Sequence, residues 1–215
     1  MTRSVLVTGA GGYVGSLLVE SLAAEPGELE AVVAADLKLP DGQLGGVHYT
    51  AFDIRDAVLA DILEEHSIDT VVHLAAVVSA GRKPDRDIEH SIDVGGTRNV
   101  LECALQAGVG RVIISSSGAA YGYHADNAEW LTEDDPLRGN PEFAYSDHKR
   151  QIEELLADWR HDHPELGQLI LRPGTILGTT TRNQITDLFD RRVILGLRGA
   201  ATPFVFIWDC LLYTS

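Results

Sequence analysis

Two alternating rhythms of apolar and polar positions run along the chain. Short, nearly unbroken apolar runs stand at Ser4–Thr8, Ala31–Ala35, Val47–Phe52, Thr70–Leu74, Arg111–Ser115 and Leu169–Arg172. Between them lie longer amphipathic stretches, Tyr13–Ala24, Ala57–His66, Ile88–Ala107, Tyr145–His161 and Arg182–Leu197. Val14, Leu17, Leu18 and Leu22 share one face of the first stretch, and Ile185, Leu188, Phe189 and Val193 share one face of the last, the spacing of helices with one buried side. The short runs predict strands covered on both faces, as parallel strands are. Their alternation with helices predicts an α/β fold, a doubly wound parallel sheet with helices on both faces.

The pattern fills most of 215 residues, the size of one large domain, with no internal repeat and no low-complexity segment. Two segments break the rhythm: Leu39–Gly46, with its Pro and Gly residues, and the polar, acidic Tyr123–Pro141. Both are expected to be mobile loops, and the second has the length of a functional loop. Pro203–Trp208 reads as one more strand, but only Asp209–Ser215 follow, too few residues for a covering helix. The exposed aromatic edge this leaves reads as a chain cut short.

Composition narrows the function. A 45% hydrophobic and 23% charged chain is ordinary for a globular protein. Its 17 Lys and Arg stand against 32 Asp and Glu, a net charge of −15, which repels nucleic acid and anionic membrane. Neither is expected as a partner. Cys103 and Cys210 make no disulfide framework or CxxC site, and eight scattered histidines suggest no metal. No stretch reaches the ~18 apolar residues of a membrane helix. Met1-Thr2-Arg3 leads straight into a strand, too short for a signal peptide, so the expected location is cytoplasmic.

The first strand runs into Gly9-Ala10-Gly11-Gly12-Tyr13-Val14-Gly15 and then a helix. Glycines at 9, 12 and 15 allow a tight turn, close backbone approach to a pyrophosphate and tight helix–strand packing. The helix N-terminus offers unpaired N–H groups and a positive dipole end to the phosphates. An acidic protein can therefore hold a dianionic cofactor without a lysine. The second strand ends at Asp36, where a carboxylate accepts hydrogen bonds from an adenosine ribose and repels a 2′-phosphate. NAD is the expected cofactor, in preference to NADP.

With Thr8–Gly15 (TGAGGYVG), Asp53–Asp56 (DIRD), His73–Ala76 (HLAA), Ser115–Gly122 (SSSGAAYG) and Tyr145–Lys149 (YSDHK) in order, the chain resembles the extended short-chain dehydrogenase/reductase superfamily, specifically its NAD-dependent epimerase/dehydratase group. The similarity runs from about Arg3 to Asp209. It implies a Rossmann-type NAD-binding domain over residues 1–209, a substrate lobe largely missing, and a tail at 210–215 without family counterpart. By the same resemblance, the cofactor would meet Gly9, Gly11, Gly12, Tyr13, Val14 and Gly15, with Asp36 at the ribose. Asp53 and Ile54 would meet the adenine, while Leu74, Ala75 and Ala76 would line the path to the nicotinamide ribose. Pro173 is counted among the cofactor contacts. His73 reads instead as a packed strand-end residue.

The resemblance also places the chemistry on Ser117, Tyr145 and Lys149. Tyr145 and Lys149 stand i and i+4 at a helix start and share a face. A free phenol, pKa ~10, is a poor base at neutral pH, and a nearby ammonium, helped by the positive nicotinamide ring, favours its ionised form. Tyr145 would then take a proton from a substrate hydroxyl as hydride leaves the same carbon. Lys149 would also hold the nicotinamide ribose, and Ser117 would orient the substrate oxygen. Ser115 lies on the same side of its strand and is the alternative serine.

Three features depart from the family pattern: Asp93 stands where asparagine is usual, Thr175 stands where sugar-nucleotide epimerases often carry asparagine, and the sequence after Asp209 has no counterpart. The expected function is NAD-dependent oxidoreductase or epimerase chemistry on a small-molecule alcohol or ketone, a nucleotide sugar or similar. The alternatives are a non-catalytic dinucleotide sensor and a fragment that binds cofactor without turnover. The family's dimers suggest a homodimer through Ile88–Ala107 and Tyr145–His161, with Val100, Leu101, Ala104, Leu155, Leu156 and Trp159 as either the interface or core against the sheet.

Overall fold

The computed structural model describes residues 2–78, 84–182, 186–189, 192–193, 199 and 204–209. The tail at 210–215, Cys210 within it, and most of the helix expected over Arg182–Leu197 lie outside the described residues.

Six strands form one parallel sheet: β1 (Ser4–Thr8), β2 (Ala31–Asp36), β3 (Val47–Ala51), β4 (Thr70–His73), β5 (Arg111–Ser115) and β6 (Gly167–Leu171), in the order β3-β2-β1-β4-β5-β6. All six apolar runs are therefore strands, displaced by two residues or fewer at their ends. The register places Val5 beside Val32 and Thr70, so β1 is the central strand.

Alternation along β1 divides the core. Val5 and Val7 pack on one face with Val32, Ala34 and Val19 of α1 (Tyr13–Ala24). Leu6 faces the other way, toward α2 (Val58–Glu65), α4 (Gly96–Gln106) and α5 (Ala144–Asp162). Each such Leu or Val withdrawn from water contributes roughly 1.5–3 kcal/mol. Acidic Asp147 in the first turn of α5, and Arg160 and His161 in its last, match the helix dipole. No helix among the described residues is long and apolar enough to cross a membrane.

The expected helix Ile88–Ala107 is a composite. It comprises α3 (Arg86–His90), a π-turn at Ser91–Gly95, and α4. Asp85 caps α3, accepting the Ile88 amide at 3.1 Å. Of the two readings of the apolar face on these helices, the structure has the core: Val100, Leu101, Ala104, Leu155 and Leu156 are buried in the core against the sheet, with Trp159 packed beside them. That face is consumed within the subunit.

Two short elements were not foreseen, a 3-10 turn at Gly118–Tyr121 and β7 (Thr175–Leu177). The expected terminal strand is present as β8 (Phe206–Trp208), but it pairs with β7 in a separate two-stranded sheet. A one-turn helix, α6 (Thr186–Phe189), is what the described residues hold of the last expected helix. The acidic loop after Gly122 is tied down: Arg138 grips Asp126 with two hydrogen bonds of 3.0 Å, and Asn127 donates to the Gly122 carbonyl at 2.7 Å.

Candidate active site

The strand order reverses between β1 and β4, and the loops leaving the carboxyl ends of the strands open a crevice there, the usual ligand position in such sheets. The cleft measures about 2730 Å³, above the ~300–1,000 Å³ of a single-ligand pocket. It has room for a dinucleotide and a second molecule. Of the residues singled out from the sequence, Gly9, Gly12, Tyr13, Val14, Gly15, Asp36, Asp53, Ile54, Leu74, Ala75, Ala76, Ser117, Tyr145, Lys149 and Pro173 all line it, and Gly11 does not.

The glycine loop is built to a tolerance that excludes side chains. Gly9 has φ +72°, and a Cβ there would lie 2.6 Å from the Ala75 nitrogen. At Gly15 it would lie 2.2 Å from the Gly9 carbonyl oxygen, itself the acceptor of the Gly12 amide at 3.0 Å. Gly12 caps α1 in an extended conformation without a side-chain cap, and the first turn holds no acidic residue. The amides and dipole of α1 are thus left to the cleft, an environment that fits a pyrophosphate.

Asp36 closes the loop from β2. Its Oδ2 accepts the Gly11 amide at 2.9 Å, so Gly11 serves by holding this carboxylate rather than by lining the cleft. Asp53 has a local partner, accepting the Arg55 amide at 3.0 Å and its guanidinium at 2.9 and 2.5 Å. Arg55 holds its carboxyl below the usual range. It is a turn residue that also borders the cleft. His73 is packed as expected, with Nδ1 at 2.7 Å from the Thr8 hydroxyl and Nε2 at 3.1 Å from that of Thr97. Burial, followed by the charge of Lys149, pushes it down to about 3.

The first turn of α5 brings Tyr145 and Lys149 to the end of β5. Lys149 donates to the Ser115 carbonyl at 2.7 Å, and its Nζ stands 5.8 Å from the centre of the Tyr145 ring. Burial lowers the lysine to about 8, against the opposing charges of Asp93 and Glu153. The expected depression of the phenol joins Lys149 to the positive nicotinamide ring, and the chain's own surroundings act in the opposite direction. Burial pushes Tyr145 above its ordinary value, a hydrogen bond with Ser117 pulls it back, and Tyr123 and Asp93 push it up further. Ser117 also caps the 3-10 turn by accepting the Ala119 amide at 3.1 Å. Ser116 points away to Glu153, while Ser115 contributes its carbonyl.

Two buried arrangements escaped the sequence reading. Glu153, on α5, receives Arg172 at 2.6 Å, and Arg172 continues to the Tyr121 hydroxyl at 2.7 Å. Tyr121 in turn donates to the Thr132 carbonyl at 2.8 Å, so the cleft-side loop is latched to the strand ends. Asp93, on the π-turn, accepts the Val77 amide at 2.8 Å and pairs with His148 Nδ1 at 3.1 Å. The i, i+4 spacing that revealed Tyr145 and Lys149 carried no signal for partners 19 and 55 positions apart. Among the described residues no group of three or more His, Cys, Asp or Glu could hold a metal ion.

A family model described as the NAD dependent epimerase/dehydratase family matches residues 5–203. The chain is 34% identical over 187 residues to a UDP-glucose 4-epimerase of Halalkalibacterium halodurans, covering 86% of this chain and 54% of that protein. Among solved structures, it is similar to MoeE5 in complex with UDP-glucose and NAD, with TM-score 0.70, 34% identity, and coverage of 86% and 58% of the two chains. It is also similar to a short-chain dehydrogenase/reductase superfamily protein from Agrobacterium tumefaciens with bound NAD, with TM-score 0.69, 30% identity, and coverage of 87% and 52%. The chain spans about half the length of the curated relatives it matches.

Proposed function

The chain belongs to the NAD dependent epimerase/dehydratase family, and from that premise we propose that the protein is an NAD-dependent oxidoreductase or epimerase acting on a hydroxyl-bearing carbon of a nucleotide sugar or similar alcohol. The observation that carries the reading is the meeting of Tyr145 and Lys149 with Ser117 at the end of β5, in the same cleft as the glycine-rich loop Gly9–Gly15. The UDP-glucose held by MoeE5 in its complex with NAD supports the substrate class.

The cradle at Gly9–Gly15 fits NAD, with loop amides at the pyrophosphate and Asp36 at the adenosine ribose. When bound, NAD supplies the nicotinamide carbon that exchanges hydride with the substrate. Tyr145 exchanges the hydroxyl proton, and its raised pKa means that its ionised form depends on nearby positive charge. Lys149 is the nearest ammonium and, being lowered to about 8, remains mostly protonated at neutral pH. Ser117, bonded to the phenol, orients the substrate oxygen and shares its developing charge.

The test is Tyr145→Phe in the intact protein with UDP-glucose and related nucleotide sugars. Loss of a general base predicts a fall in turnover of about 10²–10⁴-fold, with NAD affinity unchanged within about twofold. Turnover that survives the substitution overturns the assignment.

A further inference from the structure

Behind Tyr145 and Lys149 lies a buried acid–imidazole pair. The π-turn at Ser91–Gly95 interrupts an otherwise continuous helix, a feature that often marks functional sites, and it carries Asp93 inward to 2% exposure. One carboxylate oxygen accepts the amide of Val77 at 2.8 Å, on the cleft wall directly after Ala75 and Ala76. The other meets His148 Nδ1 at 3.1 Å. His148 is 1% exposed, and its Nε2 has no hydrogen-bond partner. Its ring sits edge-on against His90 at 5.5 Å, and His90 Nε2 is bonded to Gln151 at 3.0 Å.

We propose that Asp93 and His148 act as one unit: His148 donates its Nδ1 hydrogen to hold the Asp93 carboxylate in place, and that fixed anion anchors the Val77 segment of the cleft wall and, through His148, the start of α5 that carries Tyr145 and Lys149. They are positioning residues. The geometry selects one imidazole form, because a hydrogen on Nε2 would be buried without an acceptor, whereas a hydrogen on Nδ1 has one in Asp93. Other groups share the same centre: Glu153 on α5 acts on Lys149, Lys149 in turn acts on His73 of β4, and Tyr123 of the cleft loop acts on Tyr145. Asp93 alone among them acts on both Lys149 and Tyr145 with a carboxylate charge, favouring the ammonium and opposing the phenolate.

This inference rests on reading Tyr145 and Lys149 as the acid–base pair, so the test uses a readout independent of turnover. The chain is labelled with ¹³Cζ-tyrosine, Tyr145 is identified from Tyr145→Phe, and its titration is followed by NMR. Asp93→Asn should lower the Tyr145 midpoint by roughly one unit. His148→Ala should move it less, and His148→Asn, whose amide can donate in place of Nδ1, should restore it. Adding His148→Ala to Asp93→Asn should have no further effect, as expected of partners in one contact. An unmoved midpoint in Asp93→Asn, or additive effects, overturns the proposal. Should a variant fail to fold, ¹⁵N-histidine shifts of the unsubstituted chain decide: neutral His148 must carry its hydrogen on Nδ1, and finding it on Nε2 refutes the unit. Conversely, turnover surviving in Tyr145→Phe would remove the enzymatic reading and leave this titration result standing.

Discussion

Gly15→Ala is the sharpest probe of the cofactor cradle. The added Cβ would lie 2.2 Å from the Gly9 carbonyl oxygen and 2.8 Å from Ala10 Cα. Ordinary contact begins near 3.4 Å, so backbone must move by about 1.2 Å, and no flexible side chain can give way. Overpacking of this kind costs about 1–3 kcal/mol. The displaced carbonyl is the one that closes the turn onto Gly12, so the strain falls on the amides facing the phosphates. A loss of roughly 10–100-fold in NAD affinity follows. Thermal melts with and without NAD measure it. At a hundred times Kd, ligand adds about 2.7 kcal/mol of stability, or roughly 5–11 °C for a chain of this size. After a hundredfold loss the same NAD concentration adds only about 0.4 kcal/mol, near 1 °C. Gly95→Ala is the control, because its helical backbone has open space around the missing Cβ and should keep the full NAD shift. A Gly15→Ala protein that folds and shows an undiminished shift would refute the cradle.

Three further outcomes are expected. Asp36→Asn should narrow the preference for NAD over NADP by at least about fivefold, since a like-charge contact near a surface amounts to about 1–4 kcal/mol; paired dissociation constants measure this. Arg172→Met strands the buried Glu153 carboxylate and should cost about 3–5 kcal/mol, seen as a lower Tm that Glu153→Gln in the same chain largely restores. His73, held at about 3 by burial, binds no proton in the fold while the unfolded chain, at ~6.5, does. Its contribution to stability is therefore present above pH ~6.5 and lost as pH falls toward 3, with a slope of up to about 1.4 kcal/mol per pH unit; His73→Asn should flatten the Tm–pH curve between pH 6 and 4.

What the sequence disclosed was governed by local rules. Alternating apolar runs located the six strands of the main sheet, because covered parallel strands have no polar face to obscure them. The glycine loop was equally legible, since its backbone geometry and close approaches leave few residue choices. Distant pairing was not legible. Asp93 stood out as an unusual residue, yet its partner His148 is 55 positions away and is brought to it by a π-turn that the pattern of Ile88–Ala107 conceals. The residues offered as a dimer face illustrate the same limit. An apolar stripe on a helix reports that something covers it, and here the cover is the chain's own sheet. The burial of Tyr145 was illegible for a related reason: spacing along α5 gives the nearness of Lys149, but the degree of burial, the largest cause raising the phenol, comes from the surrounding loops.

The central position of β1 has a consequence for how the protein is made. Of the six strands of the sheet it is synthesised first, and β2 follows soon after, but its other neighbour is β4, with Val5 beside Thr70, 65 positions later. At about 5–20 residues per second, the β4-side edge of Val5-Leu6-Val7 waits roughly 3–13 s for its partner to be translated. During that interval a strand that the fold buries along its whole length has one open flank, the condition under which nascent chains associate wrongly. Substitutions that slow the pairing of β1 with β4 should therefore lower soluble yield before they lower the stability of the molecules that do fold.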